Sequence, residues 1–114
     1  MVNQPVYVTR PNITLGRDPV ATDIAFYAGE ASSVGRKHAF IAADGRGGFN
    51  ITDNGSANGT RVNTKKLTPG MAEALRDGDE ITLGDLRNRG VKVRFALKDG
   101  GHWLKRDNVT HVMQ

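Results

Sequence analysis

The stretch VKVRFALK, residues 91–98, decides the fold class of this chain. Its apolar residues stand at every second position, at Val91, Val93, Phe95 and Leu97, with charged or small residues between them. Successive side chains of a strand point to opposite faces, so this period of two predicts a strand with one buried face. We expect the four apolar side chains to lie in the core.

Five shorter segments towards the N-terminus have the same character, and strong turn formers separate them. They are residues 80–83 (EITL), 49–52 (FNIT), 38–42 (HAFIA), 12–15 (NITL) and 6–8 (VYV). Before residue 102, no stretch free of Gly and Pro exceeds nine residues, which leaves almost no room for a helix of typical length. The sequence therefore predicts an all-β protein, an antiparallel β-sandwich of six or more short strands.

Composition limits the domain count and the partners. The 114 residues make one domain, because either half would be too short to bury a core of its own. Sixteen Lys and Arg against 12 Asp and Glu give a formal charge of +4, which favours an anionic partner. The absence of cysteine excludes a disulfide scaffold and fits a reducing compartment, so we expect a cytoplasmic protein. No apolar run approaches the ~20 residues of a membrane span, and no membrane partner is expected.

Motifs for catalysis or cofactor binding are missing from the sequence. It has no cysteine nucleophile, no Gly-x-Ser-x-Gly elbow, no phosphate loop and no calcium loop, so we expect neither an enzyme nor a metal or cofactor site. Nucleic-acid binding is not expected either, because the basic residues are scattered and few rings are available to stack on bases. We expect four of those rings in the core, since they stand in strand patterns: Tyr7, Phe40, Phe49 and Phe95.

Four further segments carry polar and glycine-rich motifs at strand ends. In chain order they are residues 15–17 (LGR), 34–39 (VGRKHA), 53–60 (DNGSANGT) and 75–84 (LRDGDEITLG). In order and spacing they resemble the forkhead-associated (FHA) domain, a β-sandwich that recognises phosphothreonine, and the resemblance covers roughly residues 7–97. It implies two twisted sheets of roughly 10–11 short strands, with the ligand-binding loops at one end.

The resemblance also implies how the chain is organised and what it does. Residues 1–114 are expected to form a single domain, with an FHA-like core over about 7–97. Residues 98–114 are a final strand, a short helix or a connecting segment. FHA modules usually serve a larger protein or assembly, which is expected here too. The implied function is non-catalytic recognition of a phosphothreonine-containing protein or peptide in signalling.

Binding phosphothreonine makes specific chemical demands. The ester carries nearly two negative charges and three acceptor oxygens, so a site needs a fixed guanidinium, further donors and a group that reads the ligand backbone. By the resemblance, Arg17 holds the backbone and phosphate region, Arg36 adds a phosphate contact, and Asn58 clamps the ligand main chain. Three further residues complete the implied phosphopeptide-binding set: Gly35, Ser56 and Ala57. Three more are implied as auxiliary contacts: Ser33, Lys37 and Lys65.

Four residues of the same motifs are expected to support the loops rather than contact the ligand. The resemblance implies that His38 braces the loops from inside, although a histidine would also suit catalysis. Gly16 and Gly59 are expected to permit tight backbone paths, and Thr60 to pack or to close a turn with a hydrogen bond.

Two positions depart from the family pattern. Gly35 stands where the family has a serine, three residues before the motif histidine, whose hydroxyl donates to the phosphate. A hydrogen bond to a charged group contributes about 1.5–3 kcal/mol, so its loss predicts affinity weakened roughly ten- to a hundredfold. The Gly35 N–H could reach the phosphate instead, or Ser32 or Ser33 could swing in. Ala57 stands where many members carry Thr or another residue that helps to seat the ligand.

Two functions therefore stay open. The first is phosphothreonine-dependent recognition, with further discrimination from the loops around residues 18–30 and 65–69. The second is an FHA-like scaffold that binds a partner or a second copy of itself independently of phosphorylation, through a sheet face or an exposed edge. Gly35 favours the second function. A nucleic-acid role rests on net charge alone.

Overall fold

Eleven strands make up the computed structural model, which describes residues 5–26 and 33–107. The strands are β1 (Val6–Val8), β2 (Asn12–Gly16), β3 (Ile24–Ala25), β4 (Ala39–Ala43), β5 (Phe49–Asp53), β6 (Thr60–Val62), β7 (Lys65–Lys66), β8 (Glu73–Leu75), β9 (Glu80–Leu83), β10 (Val91–Lys98) and β11 (Gly101–Asp107). A short 3-10 turn, Leu86–Asn88, precedes β10. Within the two described ranges, no helix is long and apolar enough to cross a membrane.

The strands form two sheets, which confirms the predicted β-sandwich. The six-stranded sheet has the order β1-β11-β10-β9-β6-β7, and the five-stranded sheet has the order β3-β2-β4-β5-β8. Nearly all pairing between neighbours is antiparallel, as expected. The described residues contain one departure, because β2 and β3 pair in parallel through Leu15 and Gly16.

The core lies between the sheets and takes the apolar side of each period-two pattern. On β10, Val91, Val93 and Phe95 are at most 1% exposed, and they face fully buried side chains such as Ile51 of the other sheet. Leu97 was expected in the core but is 43% exposed. Leu97 is the second-last residue of β10, next to the turn at residues 99–100 that leads to β11.

Two of the four aromatic residues expected in the core are exposed. Phe49 and Phe95 are buried, but Tyr7 is 40% and Phe40 is 37% exposed. Tyr7 lies against Trp103 of the neighbouring strand, with ring centroids 5.0 Å apart. A strand pattern alone does not say which of its two faces meets the other sheet.

The segment after residue 97 contributes a central strand. Strand β11 pairs with β10 on one side and with β1 on the other, so the six-stranded sheet includes residues beyond the 7–97 core that the resemblance implies. Of the three forms considered for residues 98–114, the described part is a strand, and residues 108–114 lie outside the described residues.

Strand direction brings five connections to one end of the sandwich, which we call the recognition end. They are residues 17–23 after β2, residues 33–38 before β4, residues 54–59 between β5 and β6, residues 67–72 between β7 and β8, and residues 84–90 between β9 and β10. The turns at residues 44–48, 76–79 and 99–100 lie at the other end, called here the opposite end. The predicted motifs therefore converge, because paired strands bring their ends together.

Candidate functional site

Backbone hydrogen bonds join the first two connections at the recognition end. The Arg17 N–H donates to the Gly35 carbonyl at 3.0 Å, and the Asp18 N–H donates to the Arg36 carbonyl at 3.2 Å. Gly16 makes this approach possible, because a Cβ built there would lie 2.1 Å from the Arg36 carbonyl oxygen. A side chain at this position would force the two connections apart, so their close approach requires a glycine here.

His38 joins the 33–38 connection to the 54–59 connection. The ring is fully buried, and its Nδ1 accepts a hydrogen bond from the Gly35 N–H at 2.8 Å. Its Nε2 therefore carries the proton and donates to the Gly59 carbonyl at 2.7 Å. Burial lowers the pKa of His38 below its usual 6.5, against weaker opposing effects of the Gly59 bond and Asp53, so the ring is neutral.

The same contact bears on one of the substitutes considered for the missing family serine. The Gly35 N–H donates to His38, so it would have to leave this bond to reach a phosphate. The nearest neighbour of a Cβ built at Gly35 would be His38 Nδ1, at 3.5 Å. A serine therefore fits at this position without displacing His38.

Asp53 fixes the shape of the 54–59 connection, a role that the sequence interpretation missed. Its Oδ1 accepts hydrogen bonds from the hydroxyls of Ser56 and Thr60, both at 2.6 Å, and its Oδ2 accepts from the Ser56 N–H at 3.1 Å. Burial alone would raise the pKa of Asp53, but the hydrogen bonds from Ser56 and Thr60 outweigh it and lower the pKa. The carboxylate stays charged and orients three donors.

Ser56 belongs to this internal network, although it was expected to contact the ligand. A serine hydroxyl has one proton, and Ser56 donates it to Asp53 while its Oγ accepts from the Gly59 N–H at 3.0 Å. The hydroxyl is therefore unavailable as a donor to a phosphate. A strand-ending Asp followed three residues later by Ser is the one sequence signal for this turn.

Asn58 projects from the recognition end and also ties two connections together. It is exposed, and its Nδ2 donates to the Ser33 carbonyl at 3.0 Å. An asparagine amide has two N–H donors and one acceptor oxygen, so one donor and the oxygen remain for a ligand. Neighbouring Ala57 is exposed on the same connection.

Ser33 was expected as an auxiliary contact, and in the structure its hydroxyl is engaged inside the domain. Its side chain is 3% exposed, and its hydroxyl accepts from the Asp85 N–H at 2.9 Å while donating to the Asp85 carbonyl at 3.1 Å. Ser33 thus anchors the 84–90 connection, and its hydroxyl cannot swing towards a ligand without losing both bonds. Ser32, the other serine considered, lies outside the described residues.

Arg17 and Arg36 line an open cleft together with Asp18 and Pro19. Arg17 is oriented by one hydrogen bond from its Nε to the Val34 carbonyl at 2.6 Å. Within the described part of the chain, its two terminal nitrogens have no partner. The guanidinium is therefore held by the backbone through Nε, and its outer edge is free.

Arg36 is more exposed and already paired. Its Nη2 lies 2.9 Å from Asp18 Oδ2, and the two side chains are 76% and 15% exposed. The hydrogen bond from Arg36 is the main reason that the pKa of Asp18 is lowered. The cleft therefore holds two guanidinium groups and the Asp18 carboxylate, which would compete with an anionic ligand for Arg36.

Lys37 and Lys65 were both expected as auxiliary contacts, but only Lys37 lies at the recognition end. Lys37 is exposed beside Arg36, but Lys65 pairs with Glu73 at 3.0 Å on the edge of the sandwich, away from the recognition end. Lys66 lies at the site instead, because a Cβ built at Gly59 would be 2.9 Å from Lys66 Cε. Alternation along the two-residue strand β7 sends the two lysines to opposite faces, and only the observed register shows which one reaches Gly59.

Comparisons with known proteins agree with this geometry. The chain matches the family model described as the FHA domain over residues 13–84. It is 38% identical over 93 residues to protein FraH of Nostoc sp., which is 82% of this chain and 29% of FraH. It is 40% identical over 79 residues to an oxoglutarate dehydrogenase inhibitor of Corynebacterium diphtheriae, 68% of this chain and 49% of that protein. The chain thus spans less than half the length of both curated relatives.

A solved FHA domain shares the fold. The N-terminal FHA domain of Saccharomyces cerevisiae Rad53p, in complex with a phosphothreonine peptide, aligns with a TM-score of 0.63 and 25% identity, covering 90% of this chain and 73% of that chain. The matched residues include the 33–38 and 54–59 connections, which His38 and Asn58 join. The sandwich, the order of its motifs and the matched family model together show that the chain belongs to the FHA domain family of protein-interaction modules.

Proposed function

We propose that this FHA domain binds phosphothreonine-containing protein segments through the recognition end. The observation that carries the proposal is the free outer edge of the Arg17 guanidinium, held by the Val34 carbonyl beside a second arginine and within the loop network that also presents Asn58. A preorganised guanidinium next to further donors suits a dianion. We also propose a cytoplasmic location, where kinases that use ATP phosphorylate threonine.

Each of the three side chains has a distinct part in this proposal. The terminal nitrogens of Arg17 bind the phosphate oxygens without giving up the bond from Nε. Arg36 leaves Asp18 for the phosphate, which carries the larger charge. Asn58 uses its second N–H and its oxygen for the ligand main chain, and the bond to Ser33 keeps the amide in place.

Affinity is expected to be modest, because no hydroxyl of the residues that the structure describes replaces the family serine. The Gly35 N–H and the Ser33 hydroxyl are both committed to contacts inside the domain. The missing charge-assisted bond contributes about 1.5–3 kcal/mol elsewhere, which corresponds to roughly ten- to a hundredfold in affinity.

Fluorescence anisotropy tests the proposal with a phosphothreonine peptide library and its unphosphorylated twins at two salt concentrations. Binding restricted to phosphorylated members, lost in Arg17→Ala and Asn58→Ala, is the expected result. Arg46→Ala serves as the matched control, because Arg46 is exposed in the turn at residues 44–48 of the opposite end. Equal loss in the control would contradict the assignment of the site.

A second candidate function is partner binding independent of phosphorylation. Tyr7 and Trp103 favour it, since both rings are exposed and form one aromatic pair on the outer face of the six-stranded sheet. Exposed aromatic pairs are common in protein interfaces. Equal binding of phosphorylated and unphosphorylated segments, sensitive to Trp103→Ala and not to Arg17→Ala, would support this function over the first.

A further inference from the structure

The outer face of the six-stranded sheet carries a row of cations in register. Lys92 of β10 is paired with Thr82 of β9, Thr82 with Arg61 of β6, and Arg61 with Lys66 of β7. Neighbouring strands lie about 4.8 Å apart, so the row crosses roughly 14 Å of the face. We call Lys66, Arg61 and Lys92 the basic row.

Burial alternation shows that the row faces away from the core. Arg61 is exposed between Thr60 and Val62, which are 0% and 6% exposed. Thr82 is only 7% exposed, but it is paired with Arg61 and stands between the core residues Ile81 and Leu83. Successive side chains of a strand point to opposite faces, so Arg61 and Thr82 lie on the outer one.

The charges of the row are poorly neutralised. Within the described ranges, neither Arg61 nor Lys66 has an acidic partner, although they stand directly opposite each other on paired strands. Like charges in that arrangement repel. Lys92 lies 3.8 Å from Glu80, but Arg94 binds the same carboxylate. The row therefore keeps an excess of positive charge that an anionic segment would balance.

The row is continuous with the recognition end. Lys66 passes beside Gly59, next to Asn58, and the Gly84 N–H donates to the Gly59 carbonyl at 3.0 Å. A surface cleft lined by Arg61, Thr82, Gly84, Arg87 and Lys92, with Glu80 and Asp85, begins at this junction. A segment bound at Asn58 thus has a direct path onto the basic row.

We propose that the basic row binds an aspartate- or glutamate-rich flank of the phosphothreonine ligand, an inference that rests on the proposed function. An extended chain advances about 3.3 Å per residue, so a flank of about four residues spans the row. The unneutralised positive charge of the row favours acidic residues. Because the row lies beside the recognition end and not within it, we expect it to bind residues that flank the phosphothreonine rather than the phosphothreonine itself.

The test uses four phosphothreonine peptides, carrying four glutamates or four glutamines on either the N-terminal or the C-terminal side. For the wild-type domain at low salt, one glutamate flank is expected to bind about three- to tenfold more tightly than its glutamine twin, as two or three exposed ion pairs would give. The gain should disappear in Arg61→Gln/Lys66→Gln and decline with salt. Thermal unfolding of both variants checks that the fold is intact.

Lys98→Gln/Lys105→Gln is the matched control, because it removes the same charge from exposed positions on β10 and β11 outside the row. Equal affinity for glutamate and glutamine flanks would overturn the proposal for the basic row while leaving the proposed function intact. An equal loss of the glutamate preference in the control would do the same. Failure of every phosphopeptide to bind would overturn both. Tight binding of an oligothymidine probe that requires Arg61 and Lys66 would make the row a nucleic-acid surface and overturn the inference.

Discussion

The two ends of the sandwich each bury one histidine completely, yet the environments of the two rings differ. His38 at the recognition end has a hydrogen bond on each ring nitrogen. Among the described residues, neither ring nitrogen of His102 at the opposite end has a hydrogen-bond partner. His102 lies instead against Phe49 and Phe95, at centroid distances of 4.5 and 5.1 Å.

The contrast shows what each end requires. Connections at the recognition end are not paired as strands, so buried polar groups such as His38 and Asp53 hold them in register. At the opposite end, the strand pairing continues to the turns, and the His102 ring fills space in an aromatic cluster. The same residue type at the same burial therefore clamps loops at one end and packs the core at the other.

Replacing His38 by leucine should give the largest loss of stability. It removes both hydrogen bonds by which the ring joins the 33–38 and 54–59 connections. The change leaves the Gly35 N–H and the Gly59 carbonyl without their buried partner, at a cost of about 1–3 kcal/mol for each group. We expect the free energy of unfolding, measured by urea denaturation, to fall by about 2–5 kcal/mol. A loss below about 1 kcal/mol would mean that the two loops do not depend on His38.

His102→Leu should raise the stability of the domain, in contrast to His38→Leu. Leucine is close to histidine in volume and removes two buried nitrogens without partners, so we expect stability to rise by about 1 kcal/mol. The same urea titration measures this gain. Destabilisation by His102→Leu would show that its ring makes a polar contact that the structure does not contain, and the contrast between the ends would fail.

Acid should destabilise the domain through both histidines. Burial lowers the pKa of His102 from 6.5 to about 4, and it also lowers the pKa of His38. Each ring then binds fewer protons when folded than when unfolded, so stability is complete above pH 6.5 and is lost as the pH falls towards the folded pKa. The melting temperature should drop between pH 6.5 and 4, with a smaller drop in His102→Leu. Identical pH profiles would contradict the assignment to His102.

Gly35→Ser should raise the phosphopeptide affinity of the recognition end without disturbing the hydrogen bonds of His38. The added hydroxyl has room beside His38 and restores the missing donor, so phosphopeptide affinity in anisotropy titrations should rise severalfold. Gly35→Ala, which adds the Cβ without the hydroxyl, is the matched control. Unchanged or weaker binding by the serine variant would show that this backbone position does not face the phosphate.

Asp18→Asn should give the smallest effect, a gain in phosphopeptide affinity of about two- to threefold. The amide removes the charge that competes for Arg36, while its oxygen can still accept from the Val20 N–H. Exposed ion pairs contribute little, which sets the size of the effect. Anisotropy at low and high salt should show the gain shrinking with salt, and weaker binding at both would mean that Asp18 assists the ligand.

Much of the sandwich was predictable from the sequence, because long strands carry a clear period. Strands β9 and β10 match their predicted segments, as does the three-residue β1, whereas the equally short β3, β7 and β8 show no period. The parallel pairing of β2 with β3 has no local signal either, since it depends on contacts between separate segments.

The site was predictable in its motifs but not in its contacts. Resemblance indicated Arg17, Arg36 and Asn58, and the structure brings them to one end. Whether Ser56 donates inward or outward depends on Asp53, and a linear sequence does not show where a hydroxyl proton goes. Lys65 and Lys66 are adjacent in sequence and opposite in space, so only the register separates their roles.

Chemical-shift mapping by ¹H–¹⁵N NMR tests most directly the claim that the recognition end holds the phosphate. Titration with a phosphothreonine peptide should shift the amides of residues 17–23, 33–38 and 54–59 and leave the turns at 44–48 and 99–100 unchanged. The unphosphorylated twin should cause no shifts. Equal shifts from both peptides, or shifts centred on Tyr7 and Trp103, would contradict the account.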